Sequence, residues 1–101
     1  MKLYRHGDCF LKEVDTIPAK VKKIGGTTIA KGEITGHHHT FRGNQVQILE
    51  TPEQQKYIDV NQDSALEHQE HDTITVKKGK YILLMEREIN PIEEKIQQVL
   101  D

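Results

Sequence analysis

All six histidines of the chain fall in three places: His6, the run His37-His38-His39, and the pair His68 and His71 within His68-Gln69-Glu70-His71-Asp72. Neutral imidazole is the commonest nitrogen ligand for zinc and several other transition metals, so this clustering points first to a metal centre. On an extended segment the side chains alternate between faces, which puts His37 and His39 on one side and sends His38 to the other. Two imidazoles spaced that way can both reach an ion at about 2.0 to 2.1 Å. His68 and His71 are three apart and converge only in a helical turn or tight loop, and the polar residues around them favour a turn. Glu70 lies between them, suited to serve as an oxygen ligand, a base, or the carboxylate that orients an imidazole. Asp8, Glu33 and Asp72 are further acidic candidates. The expected ligand set is His37, His39, His68 and His71 around a divalent transition metal, zinc first, with Glu70 and His71 as the catalytic candidates. Any one of these histidines alone would read as an ordinary solvated side chain; the two spacings occurring together favour a shared site. His6 keeps the ordinary reading, although its expected face also carries Asp8.

A second chemistry needs no metal. His38-His39-Thr40-Phe41 and His71-Asp72-Thr73-Ile74 each contain His-x-Thr followed by an apolar residue. This resembles the paired motifs of the two-histidine phosphoesterases. The resemblance implies one imidazole as general base and the other as general acid on a phosphodiester or RNA, His38 or His39 working with His71, while threonines hold the phosphate.

The elements that must position these residues read as strands. Leu3 to Val14 alternates between two faces and is expected to be one strand, ended by Asp15-Thr16-Ile17-Pro18. Lys20 to Ile24 and Thr27 to Lys31 flank Gly25-Gly26, a hairpin candidate. Gly32 and Gly36 bracket the approach to the three histidines and permit a bulge there. Gln45 to Glu50 and Lys56 to Val60 read as short strands separated by Pro52; Ala65-Leu66-Glu67 is too short to assign. Thr73 to Val76 is strongly β by composition, and Lys77-Lys78-Gly79-Lys80 is expected to close a hairpin onto Tyr81 to Glu88. Only the C-terminus has helical period: Ile92, Ile96, Val99 and Leu100 share one face, with Asn90, Pro91 and Glu93 at its start. Seven or eight short strands predict a mainly β protein, a small antiparallel barrel or two-sheet sandwich with one short C-terminal helix.

With 101 residues, one domain spanning residues 1–101 is expected. A hydrophobic fraction of 35% with no tryptophan implies a modest core of Ile, Val and Leu. The net charge of -2, with Lys and Arg scattered through the chain, does not indicate nucleic acid, which would need a local basic patch. No run approaches the roughly twenty apolar residues of a membrane span, so a cytoplasmic protein without membrane association is expected. The single cysteine, Cys9, rules out an internal disulfide and is expected to be a small buried hydrophobe. An exposed edge strand or the terminal helix could pair two chains into a homo-oligomer.

Arg5-His6-Gly7-Asp8, Gly32-Glu33-Ile34-Thr35-Gly36-His37-His38-His39, His68-Gln69-Glu70-His71 and Arg87-Glu88 together resemble a family of small, largely uncharacterised bacterial and phage-type proteins. Its members carry a Gly-Glu-x-Thr-Gly-His-x-His segment followed by His-Glu-Glu-His. Gln69 stands where that pattern has a carboxylate, which leaves Glu70 as the acidic candidate. The His37-x-His39 pair after a glycine-rich strand, with Val76-Lys77-Lys78-Gly79 further on, is also similar to a shortened cupin. Three classes of function follow: a metal-binding protein and metal-dependent hydrolase of a small molecule, a metal-independent phosphodiesterase or RNase, and a non-enzymatic binding or regulatory module.

Overall fold

Apolar residues at every second position face inward along most of the chain: Val46 and Ile48, Ile58 and Val60, Tyr81 and Leu83 are buried while their neighbours are not. The computed structural model of the chain describes residues 2–31 and 37–86. That span forms β1 (Leu3–His6), β2 (Cys9–Glu13), β3 (Lys22–Ile24), β4 (Thr28–Lys31), β5 (His38–Phe41), β6 (Val46–Glu50), β7 (Lys56–Val60), β8 (Ser64–Glu67), β9 (Ile74–Val76) and β10 (Gly79–Met85). One sheet runs β1-β2-β10-β7-β6-β3 and the other β4-β5-β8-β9, with every pairing antiparallel. Their inner faces share a core in which Leu11, Ile48, Ile58 and Tyr81 from the first sheet meet Ile29, Phe41, Leu66 and Val76 from the second. The fold is thus mainly β with two sheets, and among the described residues the sheets keep separate edges instead of closing into a barrel. The terminal helix expected over residues 90–100, like Glu33 and Arg87-Glu88, lies outside the described residues.

Three expected connections differ from those observed. Leu3 to Val14 is two strands, because Gly7 takes φ +64°, a left-handed conformation that glycine adopts without strain, and turns the chain back at Gly7-Asp8. Hairpin register then pairs His6 with Cys9, so these two point inward together, where a single strand would have put them on opposite faces. Gly25-Gly26 joins two sheets and does not close a hairpin: β3 pairs with β6, and β4 with β5. Likewise β9 pairs with β8 while β10 pairs with β2 and β7. There the Asp63 carboxylate accepts from the Lys78 amide at 2.7 Å and the Tyr81 hydroxyl donates to the Lys77 carbonyl at 2.7 Å, anchoring a crossover between sheets.

Candidate functional site

Four segments meet at one end of the two sheets: the Gly7-Asp8 turn, His37 with the start of β5, the loop between β8 and β9, and the end of β10. They line a cavity of about 720 Å³ whose walls include Asp8, His37, His39, His68, Glu70 and His71. Strand alternation on β5 turns His39 inward, where it is buried, and sends His38 to a smaller depression shared with Thr40 and Gln69. The β8–β9 loop follows bends rather than a helical turn. It is tied down where the Gln69 side chain accepts from the His38 amide at 3.0 Å and where His6 Nε2 meets the Asp72 carbonyl at 2.8 Å.

The imidazoles lie in contact with one another. Ring centroids are 4.4 Å apart for His39 and His68, 4.5 Å for His68 and His71, and 4.9 Å for His6 and His39. His39 and His71 lie almost parallel, 12° between planes and 6.0 Å between centroids. Gly7 lies against both rings: a Cβ there would stand 2.6 Å from His71 Nε2 and 3.1 Å from His39 Cε1. Two nitrogen–oxygen pairs sit at 3.3 Å, His39 Nε2 with Asp8 Oδ1 and His37 Nδ1 with Glu70 Oε1. Asp8, Cys9 and His39 each bring one ligand-type atom within 4.8 Å of one another, a group able to hold a metal ion.

Burial, followed by the neighbouring His68 and His6 rings, pushes the His39 imidazole down to about 4. Burial also lowers His6, against the opposing effect of the Asp72 carbonyl, and lowers His68, with His71 adding to it. At neutral pH these three rings are therefore uncharged, and each keeps a lone pair. In His68 that lone pair is Nδ1, which accepts from the Glu70 amide at 3.0 Å, so its Nε2 carries the hydrogen and acts as a donor. Cys9 is fully buried, its Sγ 3.8 Å from Met85 Sδ and 3.8 Å from Asp8 Oδ1. Burial and then the Asp8 charge push its thiol up to about 12, so it stays protonated unless a bound metal displaces the proton.

A family profile described as a domain of unknown function, DUF8820, matches residues 5–86 of this chain. The chain belongs to that family. No curated protein and no solved structure matches the chain. The match to DUF8820 spans every segment that lines the cavity, from Arg5 to Glu86.

All four histidines expected as ligands from sequence, with Glu70, line the one cavity of this DUF8820 protein. The geometry brings Gly7 and the acidic candidate Asp8 to the same wall, and sets His6 behind His39, where a single long strand would not have turned back. The signal was present: a Gly-Asp dipeptide interrupting an alternating run is a hairpin-turn cue. Of the two His-x-Thr motifs, His38 and Thr40 line the smaller depression and His71 lines the larger cavity. The Thr40 hydroxyl bonds the Thr28 hydroxyl at 3.0 Å across β4 and β5, and Thr40 lines the smaller depression with His38, away from the His39–His71 pair. No helix among the described residues is long and apolar enough to cross a membrane.

Proposed function

We propose that this DUF8820 protein is a metal-binding protein, and that its cavity carries out metal-assisted hydrolysis of a small molecule. The observation that carries this reading is the 3.3 Å separation of His39 Nε2 and Asp8 Oδ1. A charge-assisted N–H···O bond is about 2.7 to 2.9 Å. Two ligands of one tetrahedral zinc ion, each at about 2.0 to 2.1 Å, stand about 3.3 Å apart. His39 and Asp8 form the centre of the proposed ligand set, with Cys9 Sγ in the same group once its proton is lost, His71 and His37 further along the cavity wall, and His68 joining if it releases the Glu70 amide. The nitrogen and oxygen donors favour zinc. The metal would supply Lewis acidity and a nucleophile at neutral pH. Glu70, exposed at the rim beside His37, is positioned to take a proton from a reactant, and His68 Nε2–H to donate a hydrogen bond into the cavity.

Metal analysis of untagged protein tests the reading, together with the rise in melting temperature on adding zinc, nickel or manganese. A near-stoichiometric metal and a rise of several degrees are expected for wild type, and both should be lost in His71→Ala and His37→Ala. Protein that carries no metal and is not stabilised by any of the three ions rejects it. Turnover of a chromogenic phosphodiester in the presence of chelator would replace it with metal-independent chemistry.

A further inference from the structure

A hydrogen-bonded chain runs from the β8–β9 loop through His6 to His39, and its polarity can be assigned from one end. A backbone carbonyl can only accept, so the 2.8 Å contact between Asp72 O and His6 Nε2 places a hydrogen on that nitrogen. A neutral imidazole has one N–H, which leaves His6 Nδ1 as a lone pair. The 2.8 Å contact between His6 Nδ1 and His39 Nδ1 then requires His39 to donate. With a metal ion on Nε2, His39 would keep that hydrogen on Nδ1, and Asp8 Oδ1 stands 3.3 Å from Nε2, the spacing of two ligands of one ion.

We infer that His6, held by the Asp72 carbonyl, is a positioning residue that fixes His39 in its Nδ1–H form and so presents Nε2, together with Asp8, to a metal ion. This rests on the metal reading above and adds to it how the central ligand is oriented. Metal-bound histidines usually donate their second nitrogen to a carbonyl or carboxylate. Here the carbonyl reaches the ligand through an intervening imidazole. His6 is not itself a co-ligand, because its Nε2 is engaged by the Asp72 carbonyl and its Nδ1 by His39 Nδ1. It is buried, unlike the exposed His71, and is not among the residues lining the cavity. Because Asp72 directly follows His71, the same contact also fixes the loop that carries His71 along the cavity wall.

The donor–acceptor pattern predicts which substitution rescues. A glutamine can donate from its amide nitrogen to Asp72 O and accept with its oxygen from His39 Nδ1–H, whereas leucine can do neither. Zinc affinity, measured by competition with a chromogenic chelator, is expected to stay within about threefold of wild type in His6→Gln and to fall about 10- to 100-fold in His6→Leu. In zinc-loaded wild type, nitrogen-15 spectra should show His39 protonated at Nδ1 and ligated through Nε2. Melting curves of both variants separate a loss of fold from a loss of orientation. Equal zinc affinity in His6→Leu and wild type, ligation of His39 through Nδ1, or a His6→Gln variant as weak as His6→Leu while still folded would each overturn the inference. Failure of wild type to take up zinc at all would instead reject the metal reading, and this inference with it.

Discussion

Tyr4 and His6 stand two residues apart on β1 and face the same interior, yet the polar clusters they belong to treat hydrogen bonding in opposite ways. Around Tyr4 each contact has a donor and an acceptor. The Lys77 amide donates to the Tyr4 hydroxyl at 3.1 Å, the Tyr81 hydroxyl donates to the Lys77 carbonyl at 2.7 Å, and Asp63 receives the Lys78 amide. The two tyrosine rings meet edge to face at 5.8 Å. Around His6, Asp8 Oδ1 and His39 Nε2 stand 3.3 Å apart, longer than a charge-assisted hydrogen bond, and the nearby Asp8 and Glu70 carboxylates are exposed. The tyrosine cluster ties a crossover between sheets and is complete in itself. The histidine cluster opens into a cavity, and under the metal reading proposed above a cation would complete it.

The sharpest way to break the contrast is at Gly7. In Gly7→Ala the new methyl would collide with His71 and strain a left-handed backbone. Zinc affinity is expected to drop more than about 100-fold, with a stability loss of about 1–2 kcal/mol, readable by titration and by denaturant unfolding. A next, smaller effect concerns pH. His39 is lowered from 6.5 to about 4 on folding, so the unfolded chain binds more protons between those values. Stability of the metal-free protein should be full above about pH 6.5 and fall as the pH drops towards 4, by on the order of 2–3 kcal/mol. His39→Leu should flatten that dependence; an unchanged slope in the variant would assign the titration elsewhere. Smallest is Tyr81→Phe, which removes one donor and leaves the Lys77 carbonyl without it. A cost of about 1–2 kcal/mol is expected, with zinc affinity unaltered. If Tyr81→Phe weakens zinc binding as much as Gly7→Ala does, the two clusters are not the independent regions described above.

How far the sequence alone reached depends on the range of the physics involved. Alternation and composition marked the strands over residues 45–50 and 56–60, and alternation separated His38 from His39, because both follow from the local geometry of a strand. Pairing did not follow. Gly25-Gly26 and Lys77-Lys78 read as hairpin turns, yet each carries the chain to the other sheet, since partner choice depends on which faces the whole chain buries. Reading Leu3 to Val14 as one strand separated His6 from Cys9 and cost His6 its role. The contact that gives it one joins residues 66 apart, His6 and Asp72, which no local pattern encodes. Glu70 could be named from its place between two histidines; that its amide commits His68 Nδ1 could not.

The spacing of the site along the chain has a kinetic consequence. His6 and His39 are 33 residues apart, and His6 and Asp72 are 66 apart, so closing the cavity means closing loops of both lengths. An unfolded chain still carries the short His37-x-His39 and His68-x-x-His71 pairs, which can hold an ion loosely before any sheet exists. Ion capture by the complete set can come only after the sheets have formed their register, so tight binding would be the last event of folding. The rate of tight uptake would then serve as a clock for assembly of the whole molecule.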